Sequence, residues 1–141
     1  MKNPRRKFLT AGLTAAAAAV PAAAPAAAAA TPSRANVKGG VKLGNMFYSS
    51  GLTGTKAGKE IGAQTHEIMK AHKANLEALG SSLENVVKVT AFLADVKNEK
   101  PAFNKAYAEY FTKNAPARTA LGGIFPDEET RVEIELVAWI P

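Results

Sequence analysis

The chain has 141 residues, 47% of them apolar, with 18 Lys and Arg against 12 Asp and Glu, and no cysteine. Lacking thiols, it cannot form disulfides, zinc–thiolate centres or a cysteine nucleophile. The net charge of +6 is concentrated at the start: removing Lys2, Arg5, Arg6 and Lys7 leaves 14 basic against 12 acidic residues, a net +2 scattered too widely for a nucleic-acid groove.

Arg5 and Arg6 stand ahead of Phe8 and Leu9, an Ala-rich run follows, and small residues precede Thr31. The order resembles a twin-arginine export signal, so residues 1–30 are expected to be an export signal peptide and residues 31–141 one periplasmic or secreted domain. Pro21 and Pro25 break the run and alanine partitions weakly into lipid, so no stable membrane anchor is expected.

Residues 31–36 read as a loose leader. Two short alternating runs flank Gly44-Asn45, a dipeptide suited to a tight hairpin; on the second run Met46, Tyr48 and Ser50 share one face and Phe47 and Ser49 the other. A Gly-rich loop leads to a helical pattern from Ala63 to Leu79, stopped by Gly80. His66 and His72 are six residues apart, which excludes an i, i+4 metal pair, and both are expected to face solvent. No metal site is expected.

The segment "ENVVKVTAFLAD" is rich in β-branched residues and predicts a strand. After a loop, Pro101 is placed at a helix start, and Phe103, Ala106, Tyr107, Tyr110 and Phe111 follow at core-facing spacing. A strand from about Arg118, a turn at "PDEE" and a strand from Arg131 to Ile140 close the chain as a hairpin. The predicted order is ββαβαββ: an α+β fold, one mixed sheet with both helices on one face and the second face bare.

In the last strand Val132, Ile134, Leu136, Ala138 and Ile140 form an apolar face, whereas the other face runs from Arg131, Glu133 and Glu135 to Val137 and Trp139. Two carboxylates about 7 Å apart repel by about 2.4 kcal/mol at an intermediate dielectric, and a cation such as Arg118 or Arg131 would relieve that. The charges either form a solvated surface ladder or line a pocket completed by another subunit.

The segments "LGNMFYSSG", "GSSLENVVKVTAFLADV", "FNKAYAEYF" and "PART…VEIELVAW" together resemble the RidA/YjgF family of imine and enamine deaminases, in order from about residue 37 to 140. The resemblance implies the chorismate-mutase-like RidA fold, a homotrimer with its sheets packed together, clefts between subunits, no cofactor, and hydrolysis of 2-imino or 2-enamino acids to 2-keto acids and ammonia. It assigns Arg118 to the substrate carboxylate, through two parallel hydrogen bonds, and Glu133 to the attacking water and the departing nitrogen. Ser50, Gly51, Asn104 and Ala120 match family positions lining the cleft. Val37 stands where many members have a tyrosine, and Ala120 where many have a cysteine; a backbone contact at 120 would survive that change.

A noncatalytic trimer that binds small carboxylates is the alternative, because positioning by Arg118 requires no chemistry. Ribonuclease or translation-inhibitor activity has the least support, given the absence of a basic groove or a suitably spaced histidine pair.

Overall fold

Two tight hairpins open the part of the chain that the computed structural model describes, residues 31–141; the expected export signal at 1–30 lies outside the described residues. They join β1 (Arg34–Val37), β2 (Gly40–Leu43) and β3 (Met46–Ser49), all antiparallel. The leader expected at 31–36 is therefore corrected: from Arg34 it is an edge strand whose backbone pairs with β2 from Arg34↔Leu43 to Val37↔Gly40. The predicted turn at Gly44-Asn45 is present, with Gly44 at φ 57°.

A two-residue strand, β4 (Leu52–Thr53), leads into helix α1 (Ile61–Ala78), which Glu60 caps by accepting from the Ala63 N–H. At its other end Gly80, at φ 73°, reverses the chain, and the Ser81 N–H returns to the Leu76 carbonyl at 2.9 Å. Strand β5 (Val86–Leu93) follows. Helix α2 (Val96–Ala108) begins a turn before the predicted Pro101, because the Asp95 carboxylate accepts from the Asn98 N–H. The expected "DVKNEK" loop is thus largely the first turn of the helix, and Pro101 is accommodated inside it.

The chain ends with β6 (Ala117–Gly122) and β7 (Val132–Trp139). These do not form the expected hairpin. The sheet order is β1-β2-β3-β7-β5-β6, with β4 also on β7; β5 and β6 are parallel and every other pairing is antiparallel. β7 takes the centre because its four alternate apolar residues, and Ile140 just past its end, are all buried, from Val132 at 0% to Ile140 at 3% exposed, whereas β6 has a mostly exposed pattern suited to an edge.

This is the expected single mixed sheet with both helices on one face. Phe47, Val89, Ala91, Leu93, Ile134 and Leu136 pack there against Ile68, Met69 and Leu76 of α1 and Phe103 of α2. Truncating a fully buried aromatic such as Phe47 to alanine costs about 3–5 kcal/mol. The opposite face carries Leu43, Tyr48, Leu121 and Trp139, each 38–45% exposed.

The histidines depart from expectation. His66 is half-buried, with Nδ1 3.0 Å from the Tyr110 hydroxyl, and His72 is fully buried in the core. His72 lies four residues after Ile68 and four before Leu76, on the buried stripe of α1, so the fold seals it from water.

Candidate functional site

The predicted site residues fall into two groups on opposite sides of the sheet. Arg118 pairs with Val89, which pairs with Leu136, and both neighbours point into the helix-side core. The Arg118 side chain therefore leaves the helix side and ends over α2, its guanidinium carbon 4.7 Å from the Tyr107 ring centre and 5.3 Å from that of Phe103. Glu133 pairs with Phe92 and alternates with the buried Val132 and Ile134, so it leaves the other face together with Glu135.

The first group surrounds a pocket of about 370 Å³ at the end of α2, lined by Asn104, Tyr107, Phe111, Pro116 and Arg118 among others. Asn104 Oδ1 and the Tyr107 hydroxyl are buried there without a hydrogen-bond partner among the described residues. An unpaired buried polar atom costs about 1–3 kcal/mol, so two beside a guanidinium mark a place built for something polar. Burial pushes the Tyr107 phenol up to about 12, against the opposing pull of Arg118, so it remains a neutral donor. Ala120 lies two residues along β6 on the same side as Arg118, half-buried opposite Ala91.

The second group lies at the interruption between β3 and β4. Ser50 and Gly51 occupy the step, the Ser50 N–H donating to the Gly39 carbonyl at 2.8 Å. Glu133 folds over Gly51 so closely that a Cβ at position 51 would collide with Glu133 Oε1 and lie 2.7 Å from the carboxyl carbon. Gly51 has no positive φ, so the backbone there suits any residue, and what a larger residue would displace is the Glu133 carboxylate. Among the described residues Glu133 has no ion-pair partner within 4.0 Å. Arg131, the other cation considered, is held by Glu99 through Nε–Oε1 at 2.9 Å and Nη2–Oε2 at 2.7 Å.

Glu135 is separate from both groups: it borders a recess of about 180 Å³ with Tyr48, Lys88 and Thr90 on the bare face. Val37, at the departure from the family pattern, ends β1 and packs on the edge of the core. Among the described residues no set of three His, Asp or Glu side chains is placed to hold a metal. Sequence reasoning missed the aromatic bed of Arg118, although Phe103 and Tyr107 were both on the predicted apolar stripe, and it missed the close seat of Glu133 on Gly51.

The family model for Endoribonuclease L-PSP matches residues 21–140. A RutC family protein of Pyrococcus horikoshii is 36% identical over 105 residues, spanning 70% of this chain and 82% of that protein. The 2-iminobutanoate/2-iminopropanoate deaminase of Escherichia coli K12 is 34% identical over 107 residues, 70% of this chain and 83% of that one. Among solved structures, a YjgF/YER057c/UK114 family member from Mycobacterium tuberculosis superposes with a TM-score of 0.67 at 24% identity, covering 72% of this chain and 85% of that one, a likeness of fold.

Proposed function

The chain belongs to the endoribonuclease L-PSP family, which is the RidA/YjgF family, and from that premise we propose that it hydrolyses 2-imino and 2-enamino acids to 2-keto acids and ammonia. The observation that carries this reading is the division of the site into two complementary halves. One half offers a guanidinium and two unsatisfied polar atoms but no carboxylate; the other offers a carboxylate with no ion-pair partner. A second copy of the chain, packed on the bare sheet face of a homotrimer, would bring the halves of two subunits together.

In such a cleft Arg118 takes the substrate carboxylate through two parallel hydrogen bonds, a geometry lysine cannot supply. Glu133 orients a water toward C2 of the imine. As the C2–O bond forms, Glu133 accepts a proton from the water and passes it to the nitrogen, giving a carbinolamine; the carboxylate then takes the proton of the new C2 hydroxyl and delivers it to the amino group, so that the C2–N bond breaks, ammonia leaves, and the keto group remains. Water supplies the oxygen, and no electron transfer is involved. An enamine reaches the same path by protonation to the imine. The resemblance of residues 1–30 to a twin-arginine signal is what favours a periplasmic or secreted setting for this chemistry, and the modest net charge of residues 31–141 argues for small carboxylates rather than nucleic acid as the ligand.

The test generates 2-iminobutanoate in situ with an amino-acid oxidase and follows 2-ketobutanoate release. The wild type accelerates the release and Arg118→Ala does not. Equal rates with and without the wild-type protein would abandon the deaminase reading.

A further inference from the structure

The residue after Glu133 is held from inside the core by an ionisable side chain that the reaction does not use. His72 on α1 is 0% exposed, and its Nε2 lies 2.9 Å from the Ile134 carbonyl oxygen. A carbonyl only accepts, so Nε2 carries the hydrogen and donates it. Nδ1 is buried without a partner among the described residues. Desolvation lowers the imidazole pKa despite the opposing Ile134 hydrogen bond, so the ring stays neutral.

The contact falls where the central ladder is broken. β3 pairs with β7 up to Tyr48↔Val137, and β4 resumes at Leu52↔Ile134. Ser49, Ser50 and Gly51 therefore oppose only Glu135 and Leu136, one residue more than a regular ladder accepts. Two side chains serve the backbone around the break: Ser49 Oγ accepts from the Leu136 N–H at 2.8 Å, and His72 donates to Ile134. Gly51, the last residue of the break, lies under the Glu133 carboxylate.

An aliphatic side chain could fill the core position without leaving a ring nitrogen unsatisfied, so packing alone does not account for an imidazole here. What the imidazole adds is a directed hydrogen bond to the backbone one residue from Glu133. We propose that His72 is a positioning residue: from the core it fixes the β7 backbone at Ile134 and so holds the Glu133 carboxylate against Gly51. This inference rests on the deaminase reading for its functional consequence, though not for its structural one.

The experiment compares wild type, His72→Leu and His72→Gln in the full-length protein, with turnover of in-situ 2-iminobutanoate and residue-resolved amide hydrogen exchange as the two measurements. Leucine fills the space without a donor, whereas the glutamine amide can restore one. The expected result for His72→Leu is a fall in kcat of about tenfold or more with KM within about twofold, as misplacing a reacting group produces. His72→Gln should recover most of that loss. Exchange in His72→Leu should accelerate at residues 133–136 and much less at 137–139.

An unchanged kcat in His72→Leu, or exchange raised uniformly along β7, would overturn the inference and reduce His72 to core packing. If the wild type itself turns over no imine, the deaminase reading fails. The exchange pattern then still decides whether His72 holds the strand. If His72→Leu does not fold, His72→Met, also without a donor and more adaptable in shape, carries the decision: a loss of kcat with a rise in exchange confined to residues 133–136 supports positioning, and wild-type kcat or a uniform rise refutes it.

Discussion

Arg118 and Glu133 leave opposite faces of one sheet: the guanidinium lies over the rings of Phe103 and Tyr107 on the helix side, and the carboxylate lies over Gly51 on the other. The strand β5 separates them, and the register sets their Cα atoms about 14 Å apart, two strand spacings across and three residues along. No rotamer change within one chain closes that gap, so chemistry that needs both residues needs two copies.

Complementation between inactive variants follows from this. Arg118→Ala and Glu133→Ala are each expected to abolish turnover alone. When the two are co-expressed and trimers carrying both tags are purified from a random mixture, about one third of the wild-type activity should return, because every mixed trimer, whichever variant is in excess, has one interface of its three that joins an intact arginine to an intact glutamate. Absence of any recovery in trimers shown to contain both variants would refute a shared site.

Gly51→Ala isolates the seat of the carboxylate. The backbone there suits any residue, but the new methyl would meet Glu133 Oε1, so the carboxylate must move. Turnover should fall by about tenfold or more, the usual consequence of displacing a reacting group by about an ångström, while the thermal midpoint changes little. Wild-type kcat in this variant would remove Glu133 from the reaction.

Tyr107→Phe separates binding from stability. The hydroxyl has no partner among the described residues, so its loss should leave the denaturation midpoint unchanged or raise stability by up to about 1 kcal/mol. If the hydroxyl serves the ligand, KM for the imino acid rises at the same time. A large loss of stability would instead mean that the phenol is satisfied within the protein.

Much of this arrangement was legible in the sequence, for local reasons. Val132 to Ile140 alternate so regularly that the buried face of β7 could be read directly, and Phe103, Ala106 and Tyr107 marked the core side of α2. The position of β7 between β3 and β5 was not legible, because strand order depends on pairings between distant residues; a turn signal at "PDEE" read instead as a hairpin. The start of α2 was misplaced because proline outweighed the quieter signal of Asp95 three residues before Asn98. His72 was assigned to solvent by residue type although its spacing from Ile68 and Leu76 placed it on the buried stripe.

The same histidine gives a pH dependence. Its folded-state pKa lies below the ordinary 6.5, so below about pH 6.5 the unfolded chain takes up a proton that the folded chain refuses. Stability is therefore fully present above that pH and falls as pH decreases toward the folded pKa, at up to about 1.4 kcal/mol per pH unit for one proton. Asp95 and Asp127, whose pKa values are lowered by hydrogen bonds from Asn98 and Thr130, lose their contributions only in more acid solution, starting around their ordinary 3.8. Urea unfolding between pH 7 and 5 should show the decline in wild type and a shallower one in His72→Gln. Equal slopes would mean that His72 is not the group responsible.

The bare face offers the last test. Trp139 pairs with Met46, which pairs with Leu43, and Tyr48 lies one step along the same face, so exposed apolar groups are contiguous across the three strands β7, β3 and β2. A patch of that kind on a small domain is normally covered, and tryptophan is among the residues that dominate such interfaces, often by about 2 kcal/mol or more. Trp139→Asp places a charge in the patch while leaving the helix-side core untouched. Sedimentation should show a trimeric wild type at micromolar concentration and a folded monomer for the variant, with turnover lost in proportion to dissociation. A wild type that sediments as a monomer and still deaminates would sink both the covered face and the shared cleft, since one chain would then have brought Arg118 to Glu133 unaided.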